Sequence, residues 1–478
     1  MNSATGIVAS NHTGSIHANT ALRILKCLLN GFCGSAALRL WNDVTHHIGP
    51  ASPAFTLVIR DPAILRRLVM RRSPILLADA YFKDLLDFEG DLYAALRLKG
   101  HFETLVLSLR ERCMLLFDAL RLPGKPQPIL TPSSPDVLNA EGAFSHRHSR
   151  QSDRAAISFH YDVSNEFYQL WLDAQMVYSC AYFETPDDSL EQAQRNKLNH
   201  ICRKLRLVPG ERFLDIGCGW GALVCWAARY YGVRAHGITL SQRQYEYARQ
   251  RIAAEGLNDL VTVELRDYRD LEDDAIYDKV ASVGMFEHVG LANLPVYNAS
   301  VCRILRPGGL FLNHGITHNE DGGKPNIDME FINRYVFPDG ELDTVSNIQR
   351  GMEHAGLEIQ DVEALRPHYA QTLRHWVQRL EVAHDDALQH VSETEYRVWR
   401  LYMAACALEF EAGGTGIYQI LASKRGTTPR SLPLTRRDLY QHNPVGIRVD
   451  WLPPMNPDGF KQHGLASWNS KTITESSA

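Results

Sequence analysis

No stretch of the 478 residues approaches the ~18 consecutive apolar side chains that a membrane-spanning helix requires. Met1 to Thr20 is polar and rich in Ser, Asn and His, without the charged-then-apolar order of a secretory signal, so a disordered N-terminus on a cytoplasmic protein is expected. Cysteine is sparse: nine residues, odd in number and scattered, show neither paired metal-site spacing nor the density of a disulfide scaffold. No metal is expected, and most thiols read as buried side chains. Neither sign of charge dominates, and a net charge of −5 argues against a general nucleic-acid binder. Internal repeats are missing as well, which excludes a solenoid.

The length exceeds one compact core, and 45% hydrophobic residues is ordinary for a globular chain, so two or more domains are expected. From Ala21 to Leu122, strand-like runs (Ala37–Trp41, Phe55–Ile59) and helix-like runs (Pro62–Arg71, Asp91–Leu98) predict a small α+β unit. Residues 123–154 are rich in Pro, Ser and basic side chains and read as an exposed linker. Over 155–425 strands and helices alternate. The apolar runs Arg212–Ile216, Val233–Leu240, Leu260–Leu265, Tyr277–Val283 and Gly309–His314 predict an α/β fold, a mainly parallel sheet covered on both faces. The tail, 426–478, is proline-rich with little periodicity and is expected to be extended.

The most informative segment is Asp215-Ile216-Gly217-Cys218-Gly219-Trp220-Gly221, between the apolar run Arg212–Ile216 and the helix-like run that begins at Ala222. Glycines allow close backbone approach and positive φ, and a helix N-terminus offers unpaired N–H groups to an anionic group. Three glycines at alternate positions with no following Lys-Ser/Thr fit neither a phosphate loop nor the dinucleotide fingerprint. The pattern resembles the S-adenosylmethionine (SAM) loop of a class I methyltransferase. Ligands of such sheets lie at the carboxyl ends of the strands, where Thr239-Leu240-Ser241, Gln244, Tyr268-Arg269 and the step Glu287-His288 gather. No carboxylate ends the second strand to hold a ribose, so Gln244, Thr239 and Ser241 would substitute. Bland alternatives stay open: Glu287-His288 reads also as a surface pair, His314 as a satisfied interior histidine, and Tyr161, Phe167, Tyr168 and Trp171 as core packing.

Phe159-His160-Tyr161-Asp162, Tyr178-Ser179-Cys180-Ala181-Tyr182-Phe183, the glycine loop, Gly284-Met285-Phe286-Glu287-His288, His314-Gly315-Ile316, Tyr335 to Gly340 and His368-Tyr369, in this order, resemble the cyclopropane-fatty-acyl-phospholipid synthases and their mycolic-acid relatives. The resemblance implies a Rossmann-like, class I SAM-methyltransferase domain behind a small N-terminal lipid-associated domain. It also implies transfer of a methylene group from SAM to the cis double bond of unsaturated acyl chains of membrane phospholipids, with bound bicarbonate as base. The positions matching the bicarbonate site are Cys180, Glu287, His314, Ile316 and Tyr369, with Glu287 accepting from the bicarbonate hydroxyl, His314 and Tyr369 donating, and Cys180 and Ile316 contributing backbone N–H groups. Those matching the SAM site are Tyr178, Ser179, Asp215, Gly217, Cys218, Gly219, Trp220, Gly221, Thr239, Leu240, Ser241, Gln244, Tyr268 and Arg269. A membrane substrate implies peripheral contact with the inner face of the cell membrane, for which the basic Pro62–Arg72 run, with Arg66, Arg67, Arg71 and Arg72, is one candidate; a solvated face on a packed helix is the other. Homodimerisation stays open, as do a methyl- or methylene-branched product and a non-catalytic lipid-binding role.

Overall fold

The computed structural model describes residues 5–71, 74–124, 163–271, 274–319, 341–426 and 432–440. Most of the expected linker and tail, Arg72, Phe159 to Asp162 and Tyr335 to Gly340 lie outside the described residues. Residues through Ser431 form one compact unit, and Leu432 onward a second, in which Arg437–Tyr440 is a short helix.

The first unit contains two sheets. Strands β1 (Ala36–Leu40), β2 (Thr45–Ile48), β3 (Phe55–Ile59) and β4 (Leu86–Gly90) make a four-stranded sheet of order β2-β1-β3-β4. Its Phe-Thr-Leu-Val-Ile strand is rich in the β-branched and aromatic side chains that suit a pleated, half-buried surface. Contrary to the expectation of disorder, the N-terminal segment is a helix, Thr5–Leu28. The physical reason is visible in its second half. Ala18, Ala21, Leu25 and Leu29 recur at helical spacing and are buried with Ile24 against this sheet, so the apolar periodicity begins before Ala21.

In the Pro62–Arg71 helix, Asp61 caps the first turn through Ala63 N–H, and Ile64 and Leu65 are buried, with Leu68 and Val69 packed against the same core. The apolar side of this helix therefore faces the protein interior. Arg66 is partly buried and donates to Leu122 O at 3.1 Å.

The larger sheet holds β5 (Arg212–Ile216), β6 (Arg234–Thr239), β7 (Val261–Leu265), β8 (Tyr277–Val283), β9 (Leu305–His318), β10 (Leu357–Ala364) and β11 (Thr415–Lys424), in the order β10-β11-β9-β8-β5-β6-β7. Neighbours from β9 to β7 pair in parallel, whereas β11 runs antiparallel to both β9 and β10. The chain lays β6 and β7 on one side of β5 and β8 and β9 on the other. That reversal opens a crevice at the carboxyl ends of β5 and β8, where ligands of open α/β sheets bind.

One helix, Glu393–Ala412, serves both halves. Trp399, Tyr402 and Met403 join the aromatic cluster built on Phe167, Tyr168, Trp171 and Trp376, while Leu401 and Val398 join the core of the small sheet. Arg397 fixes the junction, donating to Tyr81 O at 3.0 Å, Asp84 at 2.8 Å and Asp87 at 3.2 Å.

Candidate active site

The glycine turn leaves β5 with Gly217, Gly219 and Gly221 at φ of 83°, 53° and 83°, and the backbone N–H groups of Gly217 and Cys218 both reach Ile238 O on β6, at 2.9 and 3.0 Å. These bonds fold the loop over the sheet end. A Cβ on Gly219 would meet nothing within 4 Å, because this residue faces open space in the crevice. Gly221 differs: it is the N-cap of the Ala222–Tyr231 helix, and a Cβ there would lie 3.1 Å from the Ala248 methyl. Its lack of a side chain lets that helix approach its neighbour, Gln242–Ala254.

A cavity opens beside the turn. Tyr178, Ser179, Asp215, Gly217, Cys218, Gly219, Trp220, Thr239, Leu240, Gln244, Tyr268 and Arg269 all line it, so most of the residues expected at a SAM site are brought together. Gly221 and Ser241 stand apart from that lining. Ser241 instead caps the Gln242–Ala254 helix by accepting from Gln244 N–H. At the end of β6, Thr239 Oγ1 donates to Gln244 Oε1 at 2.8 Å, which leaves the Gln244 amide NH₂ as a donor. Arg269 is bound to Asp267 by two side-chain bonds, at 2.9 and 2.6 Å.

Sequence reasoning passed over Lys197. It lies on the Leu190–Lys204 helix, lines the cavity, is 2% exposed and donates from Nζ to Ser179 Oγ at 2.8 Å. Burial pulls its ammonium down to about 8, opposed by Asp173, Cys180 and Asp215. Asp215 is pushed up to about 7 by burial, with Lys197 opposing. Its Oδ1 is buried without a hydrogen-bond partner among the described residues. One legible signal was available: Gln194, Lys197, His200 and Lys204 fall on the buried face with Leu190, Ala193 and Ile201, polar groups where a packed helix normally places apolar ones.

Of the five residues matched to a bicarbonate site, Ile316 and Tyr369 pack against the buried cluster that holds Cys180, and Glu287 adjoins Ile316. Glu287 follows β8 in a short helical turn, Phe286–His288, and its Oε1 accepts from the Ile316 backbone N–H at 2.8 Å. The Ile316 N–H expected to meet an anion is thus engaged by a carboxylate of the chain itself. Glu287 Oε2 is buried without a partner among the described residues, and burial lifts the carboxyl to about 7. His314 shares a strand face with Ile316. Its Nδ1 faces the Gln419 side-chain amide at 3.4 Å, and its Nε2 is buried without a partner among the described residues. Burial holds this imidazole neutral, with its pKa well below the ordinary value. Cys180 and Tyr369 meet at Leu365, whose carbonyl faces Cys180 Sγ at 3.8 Å and accepts from Tyr369 N–H at 3.2 Å. Burial raises the Cys180 thiol far above its usual range, so it stays protonated.

The cavity fits SAM on three observations: an open cradle at Gly219, an orphaned Asp215 oxygen, and a buried cation at Lys197. With the β5–β8 crevice these define the class: a class I SAM-dependent methyltransferase. Two solved structures share this architecture, the cyclopropane synthase MmaA2 from Mycobacterium tuberculosis (31% identity, TM-score 0.54, covering 57% of this chain and 98% of that one) and mycolic acid cyclopropane synthase CmaA1 complexed with SAH and CTAB (33%, 0.54, 57% and 98%). Residues 148–420 match the family model for mycolic acid cyclopropane synthetase. A probable fatty acid methyltransferase of Pseudomonas putida is 45% identical over 407 residues, 84% of this chain and 96% of that protein. The cyclopropane-fatty-acyl-phospholipid synthase of Escherichia coli K12 is 41% identical over 268 residues, 55% of this chain and 66% of that protein. The chain belongs to the mycolic acid cyclopropane synthetase family and is a SAM-dependent methyltransferase.

Proposed function

We propose that this enzyme forms cyclopropane fatty acids on the unsaturated acyl chains of membrane phospholipids. The observation that carries the reading is a pair of buried polar atoms without protein partners among the described residues, Nε2 of a neutral His314 and Oε2 of Glu287, next to residues 284, 285 and 288 of the cavity lining. When bound, SAM supplies a methyl group on a sulfonium centre, electrophilic enough for an alkene. Bicarbonate would supply the base that takes the proton on ring closure. Glu287 Oε2, ionised, accepts from a hydroxyl; His314 Nε2, carrying the ring proton, donates to an oxygen; together they would hold a hydrogen-carbonate ion in one orientation. His314, its pKa held well below the ordinary value, is a weak base. Tyr178 and Trp220, which line the cavity, pack against the buried aromatic cluster of Tyr168, Trp171, Trp376 and Trp399, an apolar backing that would keep water from the cationic carbon that methyl transfer leaves.

A second reading keeps SAM and the acyl chain but ends in a methyl branch, and it is favoured by the relative named a probable fatty acid methyltransferase and by another, 37% identical over 311 residues, named tuberculostearic acid methyltransferase. Fatty-acid mass spectrometry of cells expressing the chain separates the two. Monoenes that gain one methylene and resist hydrogenation carry a ring; a saturated, branched product would replace the first reading with the second. No gain on any monoene would overturn both.

A further inference from the structure

The Leu109–Arg121 helix carries apolar side chains on two opposite faces. Leu115, Ala119 and Leu122 point inward, as does Asp118, which holds Arg23 of the Thr5–Leu28 helix at 3.1 and 2.7 Å. This face accounts for the packing of the helix. On the other side Leu109, Cys113, Leu116, Phe117 and Leu120 recur at i, i+4, i+7, i+8 and i+11, one stripe of a helix with 3.6 residues per turn. All five are exposed, Leu109 by 79%, Leu116 by 44%, Phe117 by 57% and Leu120 by 56%. Val106, 89% exposed, continues the stripe just before the helix begins. Nothing in the packing of the described residues requires this second face.

Arginines border the stripe on both sides, Arg112 along one edge and Arg110 and Arg121 along the other. The Arg121 guanidinium lies 3.9 Å from the Phe117 ring centroid and 3.8 Å from Asp118 Oδ1, and 55% of its side chain stays exposed at the edge of the stripe. The two acidic residues of the helix are turned away from the stripe: Glu111 folds back onto Ser108 in a capping box, and Asp118 is buried on Arg23. The Pro62–Arg71 helix, which packs against this one, adds Arg66 at its end through the bond to Leu122 O.

We propose that this outer stripe is the lipid-docking surface of the protein, lying at the headgroup–acyl boundary of an anionic bilayer with the flanking arginines among the phosphates. An apolar face with basic edges is the pattern of a helix that lies in a membrane interface. Charge complementarity decides between occupants. A second copy meeting this face about a two-fold axis would set arginine edge against arginine edge, with no exposed carboxylate on either stripe to offset them. An anionic headgroup layer supplies that counter-charge. The inference rests on the reading that the substrate is a membrane lipid.

The test uses the full chain and the triple variant Leu116→Ser/Phe117→Ser/Leu120→Ser, whose positions are exposed, so melting should match the parent. Co-sedimentation with phosphatidylglycerol vesicles should weaken by roughly tenfold or more, since apolar burial drives interfacial binding. Arg112→Gln/Arg121→Gln should lower the preference for phosphatidylglycerol over phosphatidylcholine vesicles, chiefly at low salt. SAM-dependent turnover of a detergent-dispersed monounsaturated phospholipid should stay at the parental rate in the triple variant. Vesicle binding equal to that of the parent, or a change in self-association alone by analytical ultracentrifugation, would overturn the docking surface. If instead the stripe governs vesicle binding while the parent enzyme leaves the dispersed lipid unmodified, docking stands and the proposed reaction falls.

Discussion

Ile316 and Glu287 are joined by a single hydrogen bond, backbone N–H to Oε1 at 2.8 Å, which ties β9 to the turn that follows β8 and points the second carboxylate oxygen at no protein donor among the described residues. A buried carboxylate held on one oxygen is poised to receive a proton or a hydroxyl on the other.

That arrangement predicts a pH signature. Burial raises Glu287 from 4.5 to about 7, so the folded chain keeps a proton that the unfolded chain has released. The associated stability is complete below the unfolded value and is lost as pH rises through about 7, a swing on the order of 3 kcal/mol for a shift of this size. Glu287→Gln removes the titration, so its melting temperature should gain on the parent across that window. Turnover should behave oppositely. It needs the ionised form, so kcat/KM of the parent should climb through about pH 7, and Glu287→Gln should cost on the order of 10²-fold. Parallel melting curves at all pH values would remove Glu287 from a dry site.

Two glycines in one turn should respond differently. Gly219→Val directs its side chain into the cavity, so calorimetry should find SAM binding abolished and only a small loss of stability, about 1 kcal/mol for the left-handed backbone. Gly221→Val collides with Ala248 between two helices and should lower the melting temperature first. Undiminished SAM affinity in a folded Gly219→Val protein would move the cofactor elsewhere.

Lys197 supplies a third prediction. As a buried cation lining the cavity beside Asp215 and Ser179, it should favour a ligand that brings a carboxylate. Lys197→Met should weaken SAM by about tenfold, and decarboxylated SAM by much less, because only the first carries the charge that meets it. Equal losses for both ligands would mean that Lys197 acts through packing.

Cys180 should be chemically idle. Its thiol is fully buried and kept protonated, with carbonyl oxygens of Ala181 at 3.3 Å and Leu365 at 3.8 Å as its neighbours. Cys180→Ser should therefore retain much of the turnover, whereas bicarbonate depletion should slow the parent and its return restore the rate. A folded, SAM-binding but inactive Cys180→Ser enzyme, or a methylated Cys180 in peptide mass spectra at the turnover rate, would argue for a covalent route.

Much of the sheet was legible because parallel strands buried on both faces are continuous apolar runs; β5 and β8 begin and end where their runs do. The strands β10 and β11 were not, and in β10 a bulge between Ile359 and Asp361 breaks the alternation that marks a half-buried strand. Arg66 and Arg67 drew attention to one helix by charge, yet the apolar side of that helix faces the core, while the exposed stripe on Leu109–Arg121 shares its sequence with an equally apolar buried face and looks, in one dimension, like a single hydrophobic segment. Periodicity reports that a face is apolar; only the fold reports which side is covered.

The Glu393–Ala412 helix, whose two sides complete two separate cores, makes the halves of this protein behave like subunits that happen to share a chain. Expressed apart, each would expose a surface shaped for the other: Val398 and Leu401 on one piece, and Tyr81 O, Asp84 and Asp87 waiting for Arg397 on the other. Covalent continuity between them sets a local concentration rather than the contact itself.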